Sequence, residues 1–203
     1  MEIYHKFIIC ENIIHMRRTF IAIEIPATLK LKELLELLRV DMREEKIRWV
    51  NPEILHITLS FLGDTSEHQV KNISEQLEKI CSGYSSIELH FKELGVFPNL
   101  RKPGVFWIGM ERNELLENLQ GEIKVMLHNY GIIRENKPFS PHLTIARIKW
   151  IENIDKLKYW LKKYRGKTIQ KTKIGEVIYY ESKLTANGPI YNPIKKFPLK
   201  KTR

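Results

Sequence analysis

The chain has 203 residues and a formal net charge of +10, with 43% apolar and 29% charged residues. That length holds one large domain or two small lobes with a real core, and that composition excludes wholesale disorder. No apolar run approaches the roughly 18–20 residues that a membrane-spanning helix needs.

Two cysteines, Cys10 and Cys81, make neither a disulfide framework nor a zinc spacing. The start, Met1–His15, lacks the basic opening and small-residue cleavage site of a secretory leader. A reducing cytoplasm, no membrane association and a monomer are therefore the expectations. The positive charge is uneven: Lys195, Lys196, Lys200, Lys201 and Arg203 crowd the last nine residues with no acid among them. That end reads either as a solvated tail or as a patch that steers an anionic substrate. Either way, nucleic acid is a more natural partner than a cation.

Residues 1–15 read as an appended segment. The folded region spans residues 16–199, and residues 200–203 read as a basic tail. Alternation marks a first strand over Arg18–Ile25. Pro26 closes it and opens a helix in which Leu31, Leu34, Leu35 and Leu38 recur at helical spacing, running to about Glu45. Lys46–Val50 is a short strand, and Asn51-Pro52-Glu53 turns the chain into Leu55-His56-Ile57-Thr58-Leu59. Gly63-Asp64 breaks that strand. Ser66 caps a helix to about Cys81, with Val70, Ile73, Leu77 and Ile80 on one side. Ile87–Phe91 and Val105–Gly109 are strands on either side of the loop 97–104. A helix from Asn113 to about Tyr130 ends at Gly131. Lys137–Pro141 leads rigidly into His142-Leu143-Thr144-Ile145. Glu152–Tyr164 is a short amphipathic helix, Ile169–Tyr180 one long strand region, and Pro189-Ile190-Tyr191 the start of a last strand. The pattern runs through one round and then repeats. It predicts an α+β fold of two similar lobes, each a small, mainly antiparallel sheet with helices on its outer face, and a site in the cleft between the sheets.

Two stretches echo each other inside that pattern. In a strand, residues i and i+2 share a face, so His56 stands beside Thr58 and His142 beside Thr144, with Ile57, Leu59, Leu143 and Ile145 turned to the core. Histidine's ordinary pKa near 6.5 lets a neutral and a protonated ring coexist around neutral pH. One ring takes a proton from water while the other supplies one to a leaving oxygen. The threonine hydroxyls can donate to the non-bridging oxygens of an anion held between the rings. A phosphodiester meets all of these demands. A phosphate-binding Gly-rich loop and a Gly-x-Ser-x-Gly elbow are both missing. His5, His15, His68, His90 and His128 are scattered, so no metal and no cofactor are expected.

The same stretches carry a family likeness. Met16–Pro26, Trp49–Gly63 with the first His-x-Thr, Phe97-Pro98, Val105–Gly109, Pro138–Arg147 with the second His-x-Thr, Tyr180-Glu181-Ser182 and Gly188–Tyr191 together resemble the 2H phosphoesterases. Within them they resemble the bacterial and archaeal RNA 2′,3′-cyclic phosphodiesterases, also called 2′-5′ RNA ligases. The resemblance implies the bilobal fold. It also implies hydrolysis of a 2′,3′-cyclic phosphate at an RNA end to a 2′-phosphate. By that pattern His56 is the proton donor to the leaving 3′ oxygen, His142 the acceptor that activates water, and Thr58, Thr144 and Arg147 hold the phosphate. Simple alternation from His142 points Arg147 to the opposite face, so its role requires a bulge or strand end there. Arg48 and Arg101 are candidates for the RNA backbone or ordinary surface arginines. Phe20 and Trp49 are candidates for base stacking or plain core residues. Two other activities remain open: 2′-5′ ligation at the same site run in reverse, and a basic RNA-binding protein whose histidines only contact phosphate.

Overall fold

The computed structural model describes residues 16–132, 138–186 and 188–201. The appended segment 1–15 and the last two residues of the basic tail lie outside them. In chain order the elements are β1 (Met16–Glu24), α1 (Leu29–Asp41), β2 (Lys46–Trp49), β3 (His56–Ser66), α2 (Glu67–Cys81), β4 (Ile87–Phe97) and β5 (Val105–Met110). Then come α3 (Glu114–Asn129), β6 (Leu143–Trp150), α4 (Ile154–Lys163), β7 (Thr168–Ile174), β8 (Glu176–Thr185) and β9 (Gly188–Pro198).

These strands form two antiparallel sheets, a four-stranded one in the order β3-β1-β8-β9 and a five-stranded one in the order β2-β6-β5-β4-β7. The two-lobed α+β expectation is met, but a lobe is not one round of the sequence. Strands β8 and β9 cross over to complete the sheet begun by β1 and β3, and β2 and β4 join the sheet of β5, β6 and β7. The stretch 169–180, expected as one strand, is divided at Gly175: β7 belongs to the five-stranded sheet and β8 to the four-stranded one.

Capping chemistry sets the helix starts. Thr28, not Pro26, opens α1, its side-chain oxygen accepting from the Leu31 N–H at 3.3 Å. Ser66 and Gln69 form a reciprocal capping box on α2. Helix α1 stops at Asp41, short of the expected Glu45, because the Glu45 carboxylate is turned inward. It accepts from the Glu152 and Asn153 backbone N–H groups at 2.6 and 3.2 Å, and so ties the end of α1 to the entry of α4. Glu45→Ala takes the charged acceptor away from both amides. It is expected to lower unfolding free energy by about 1–3 kcal/mol in urea titrations.

Strand β3 runs through Gly63 to Ser66 rather than breaking there, Gly63 adopting φ +72°. Its polar end is satisfied inside the fold: the buried Thr19 and Thr65 hydroxyls bond to each other at 2.9 Å, and Thr19 bonds to the Tyr179 hydroxyl at 3.1 Å. Strand β4 also outlasts its expected end, because Gly95 leaves room for the Trp107 indole, which a Cβ there would overlap.

The main core joins the inner faces of both sheets to the four helices, from Ile21 and Ile23 through Leu89 and Phe106 to Val177 and Phe197. A second, small apolar cluster, Phe20, Ala22, Ile178 and Tyr180 with Tyr191 against it, lies on the opposite face of the four-stranded sheet. The basic end is mostly built in. Lys195 and Lys196 lie in β9, ion-paired to Glu78 and Glu176 at 2.8 Å each, and Lys200 bridges Ser85. Two of the lysines expected to steer substrate are therefore partnered by acids. Among the described residues, no helix is long and apolar enough to cross a membrane.

Candidate active site

The two histidines are held in the same way. His56 opens β3, and its Nδ1–H donates to the Ile54 carbonyl at 2.9 Å. His142 stands one residue ahead of β6, not inside it, and its Nδ1–H donates to the Ser140 carbonyl at 2.8 Å. A carbonyl can only accept, so each Nδ1 carries its proton and each Nε2 is left to gain or lose one. Both units thus use the carbonyl two residues upstream to fix tautomer and ring direction.

A second shared feature follows each threonine. Along β1 and β3, Ala22 opposes Thr58 and Ile21 opposes Ser60, which leaves Leu59 as an extra residue. Along β5 and β6, Trp107 opposes Thr144 and Phe106 opposes Ala146, which leaves Ile145 extra. A bulge at the same place in each motif advances the side-chain phase by one. Ile145 and Ala146 are consequently both buried, and Arg147 is exposed. Strict alternation put Arg147 on the far face; the bulge returns it to the face of Thr144. The corresponding position in the first unit is Phe61, 67% exposed and 6.0 Å from the Phe20 ring.

Electrostatics bring these groups to one place. The His56 pKa is lowered from its ordinary value, chiefly by burial. The Ile54 carbonyl opposes the shift, and the positive charges of His142 and Arg147 add to it. A ring on one sheet therefore feels two groups carried by the other, and His56, His142 and Arg147 converge on the cleft. Thr58 and Thr144 are half-buried beside their histidines, and neither hydroxyl is hydrogen-bonded among the described residues.

Aromatic rings wall both imidazoles. Phe20 and Tyr191 flank His56 at 5.3 and 5.2 Å. Phe97 meets His142 edge-on at 5.0 Å, with Trp107 at 6.5 Å. Tyr191 and Phe97 were not singled out as site residues from the sequence, because only the pairing of β9 and β4 brings them to the cleft. Phe20 lies against the His56 ring and stacks on Tyr180 at 5.1 Å, so it supports the site from below. Trp49 packs on the core residue Phe106 at 6.2 Å. A cavity of about 210 Å³ beside His56 is lined by Glu24, Glu53, Tyr180, Tyr191 and Lys196, among others. A larger groove of about 700 Å³, between α2 and α3, contains neither histidine.

The remaining candidates fall elsewhere. Arg101 sits in the exposed loop after Pro98, where the Asn99 side chain accepts from its backbone N–H. His90 is held on the surface between Glu88 and Glu111 at 2.7 and 3.0 Å. Burial pushes the Cys81 thiol up to about 12, which keeps it protonated and unreactive. Among the described residues, no three His, Cys, Asp or Glu side chains cluster as metal ligands.

Paired His-x-Thr units on facing antiparallel sheets are the build of a two-histidine phosphoesterase. The chain belongs to the LigT-like phosphoesterase family, whose model matches residues 23–107 and again residues 108–191, one His-x-Thr in each match. It is 36% identical over 180 residues to an RNA 2′,3′-cyclic phosphodiesterase of Methanocaldococcus jannaschii, covering 89% of this chain and 99% of that one. It is 37% identical over 154 residues to the enzyme of the same name from Aquifex aeolicus, covering 75% and 81%. Among solved structures, Escherichia coli LigT complexed with 3′-AMP superposes with a TM-score of 0.73 at 25% identity, over 91% of this chain and 99% of that one.

Proposed function

We propose that this chain hydrolyses 2′,3′-cyclic phosphodiester ends of RNA to 2′-phosphomonoesters, as a monomer in the cytoplasm and without a metal, using His56 and His142 as its proton-transfer groups. One observation carries the reading: two identically tethered imidazoles, two unpaired threonine hydroxyls and Arg147 share one cleft. The names of the relatives supply the substrate class.

In the proposed reaction, His142 Nε2 takes a proton from water as the water oxygen attacks phosphorus opposite O3′. The P–O3′ bond breaks, and His56 Nε2–H delivers its proton to O3′, leaving phosphate on O2′. The two rings have then exchanged protonation states, and solvent resets them. Thr58, Thr144 and Arg147 donate to the non-bridging oxygens, where negative charge grows in the transition state.

The lowered pKa of His56 bears on this assignment. An acid must hold its proton, and a phosphodiester anion beside the ring raises the pKa again. Substrate binding would therefore load the acid. The same lowered value favours a second reading, with His56 as base and His142 as acid. A substrate whose 3′ oxygen is replaced by sulfur needs no proton on its leaving group. Under the proposed roles it restores turnover to His56→Ala and not to His142→Ala; the opposite pattern reverses the roles.

The activity itself is tested with end-labelled RNA bearing a 2′,3′-cyclic phosphate, mixed with a 5′-hydroxyl RNA in the presence of EDTA. Hydrolysis without joining is the expected result. A joined product makes ligation the main reaction. Salt-sensitive binding with an intact cyclic end makes the chain an RNA-binding protein.

A further inference from the structure

Resting on the cyclic phosphodiesterase reading, we propose that Arg48 forms a second phosphate subsite. It would take the phosphate on the 5′ side of the terminal nucleotide, so that the site selects polyribonucleotide ends over isolated nucleoside cyclic phosphates. Arg48 on β2 lies directly opposite Arg147 on β6, with Trp49 opposite Ala146. Residues opposed in an antiparallel pair share a face, about 4.5–5.5 Å apart at Cβ. Trp49 packs on the core, which sends Arg48 to the cleft side with Arg147. Like charges set directly opposite are unfavourable. Among the described residues, neither arginine has an ion pair with a carboxylate. The pair therefore stands without an anion of its own.

The Arg48 guanidinium also crosses to the other sheet. A Cβ placed on Gly188 would stand 2.5 Å from Arg48 Nη2. Gly188 opens β9, and Tyr191, three residues further along the same strand, feels the charges of Arg147 and Arg18. Along β9 the two guanidinium groups are thus met in turn: Arg147 beside Tyr191 and the reacting centre, Arg48 beside Gly188. Three residues of strand span about 10 Å, and each guanidinium reaches a phosphate from its own side through its hydrogen bonds, so the two can meet the phosphates on the two sides of one ribose. The cavity beside His56 carries two acids, Glu24 and Glu53, against one lysine, Lys196, which is itself paired with Glu176, so it is the less favourable side for a phosphate. The chain of phosphates therefore leaves over the arginines. A guanidinium suits this task because its planar fork binds a phosphodiester through two hydrogen bonds.

The test compares cytidine 2′,3′-cyclic phosphate with its 5′-phosphorylated form. Wild-type protein is expected to favour the 5′-phosphorylated substrate by about 10–100-fold in kcat/KM, mostly through KM, the range of one charge-assisted phosphate contact. Arg48→Met brings that ratio close to one. A wild-type ratio near one, or a preference that survives in Arg48→Met, overturns the subsite. Turnover of neither substrate by wild-type protein counts against the phosphodiesterase reading instead. Binding of cytidine 2′,5′-bisphosphate against cytidine 2′-monophosphate by calorimetry then reads the subsite alone. A tighter bisphosphate, with the difference lost in Arg48→Met, supports it, and equal affinities overturn it.

Discussion

His56→Ala and His142→Ala each lower kcat on a nucleoside 2′,3′-cyclic phosphate by about 10²–10⁴-fold, the usual worth of a positioned acid or base. The double variant falls little below the poorer single one, because acid and base act within one step and their losses do not add. Neither ring belongs to the main core, which is built from the opposite faces of β3 and β6 through Ile57, Leu59, Leu143 and Ile145. Far-UV dichroism and Tm are therefore expected to stay close to wild type, and the loss is one of chemistry. A single variant that keeps near wild-type kcat shows that its ring does not transfer a proton in the limiting step.

Arg147→Ala is expected to lower kcat/KM by about 10²–10³-fold, in the range found when a donor aimed at developing negative charge is removed. Arg147→Lys restores only part, since an ammonium keeps the charge but not the forked geometry. A second readout is specific to this structure. The Arg147 charge contributes to holding down the His56 pKa. Its removal lets that pKa rise, so the limb of the pH–rate profile set by His56 in the free enzyme moves to higher pH in Arg147→Ala. An arginine that only stabilised the fold would lower Tm and leave the limb in place.

Much of the site is local, and local features are legible in a sequence. The i, i+2 spacing of His56 and Thr58, and of His142 and Thr144, places each pair on one face whatever the rest of the chain does. Val70, Ile73 and Leu77 at helical spacing and Ser66 ahead of α2 give that helix in the same way. The position of Arg147 is different. Its face depends on Ile145 being an extra residue against β5, and a bulge is a property of two strands together. The likeness to a known family demanded that bulge; alternation within β6 argued against it. The exchange of strands between lobes was illegible for a related reason. A strand's own residues show that it has a buried face, not which sheet it enters, and β7 and β8 read as continuous until their partners, β4 and β1, draw them to different sheets. Glu45 is a third case. A charged residue in a polar stretch is read as solvent-facing, and only the arrival of the Glu152 and Asn153 amides gives its carboxylate a reason to turn inward.

The duplicated site also has a polarity that its two motifs lack. After the bulge the first unit presents Phe61 and the second Arg147, so at this position one half of the site carries an aromatic ring and the other a cation. The aromatic cluster of Phe20, Tyr180 and Tyr191 lies on the His56 side. Such a cleft suits a ligand with a charged end and a flat apolar one, which is the character of a nucleotide.

The central claim is tested most directly by phosphorus NMR of a short RNA ending in a 2′,3′-cyclic phosphate, incubated with the wild-type chain in EDTA. The proposed mechanism predicts that the cyclic resonance is replaced by that of a 2′-phosphomonoester. A cyclic resonance that persists, or a product that is the 3′-phosphomonoester, contradicts it.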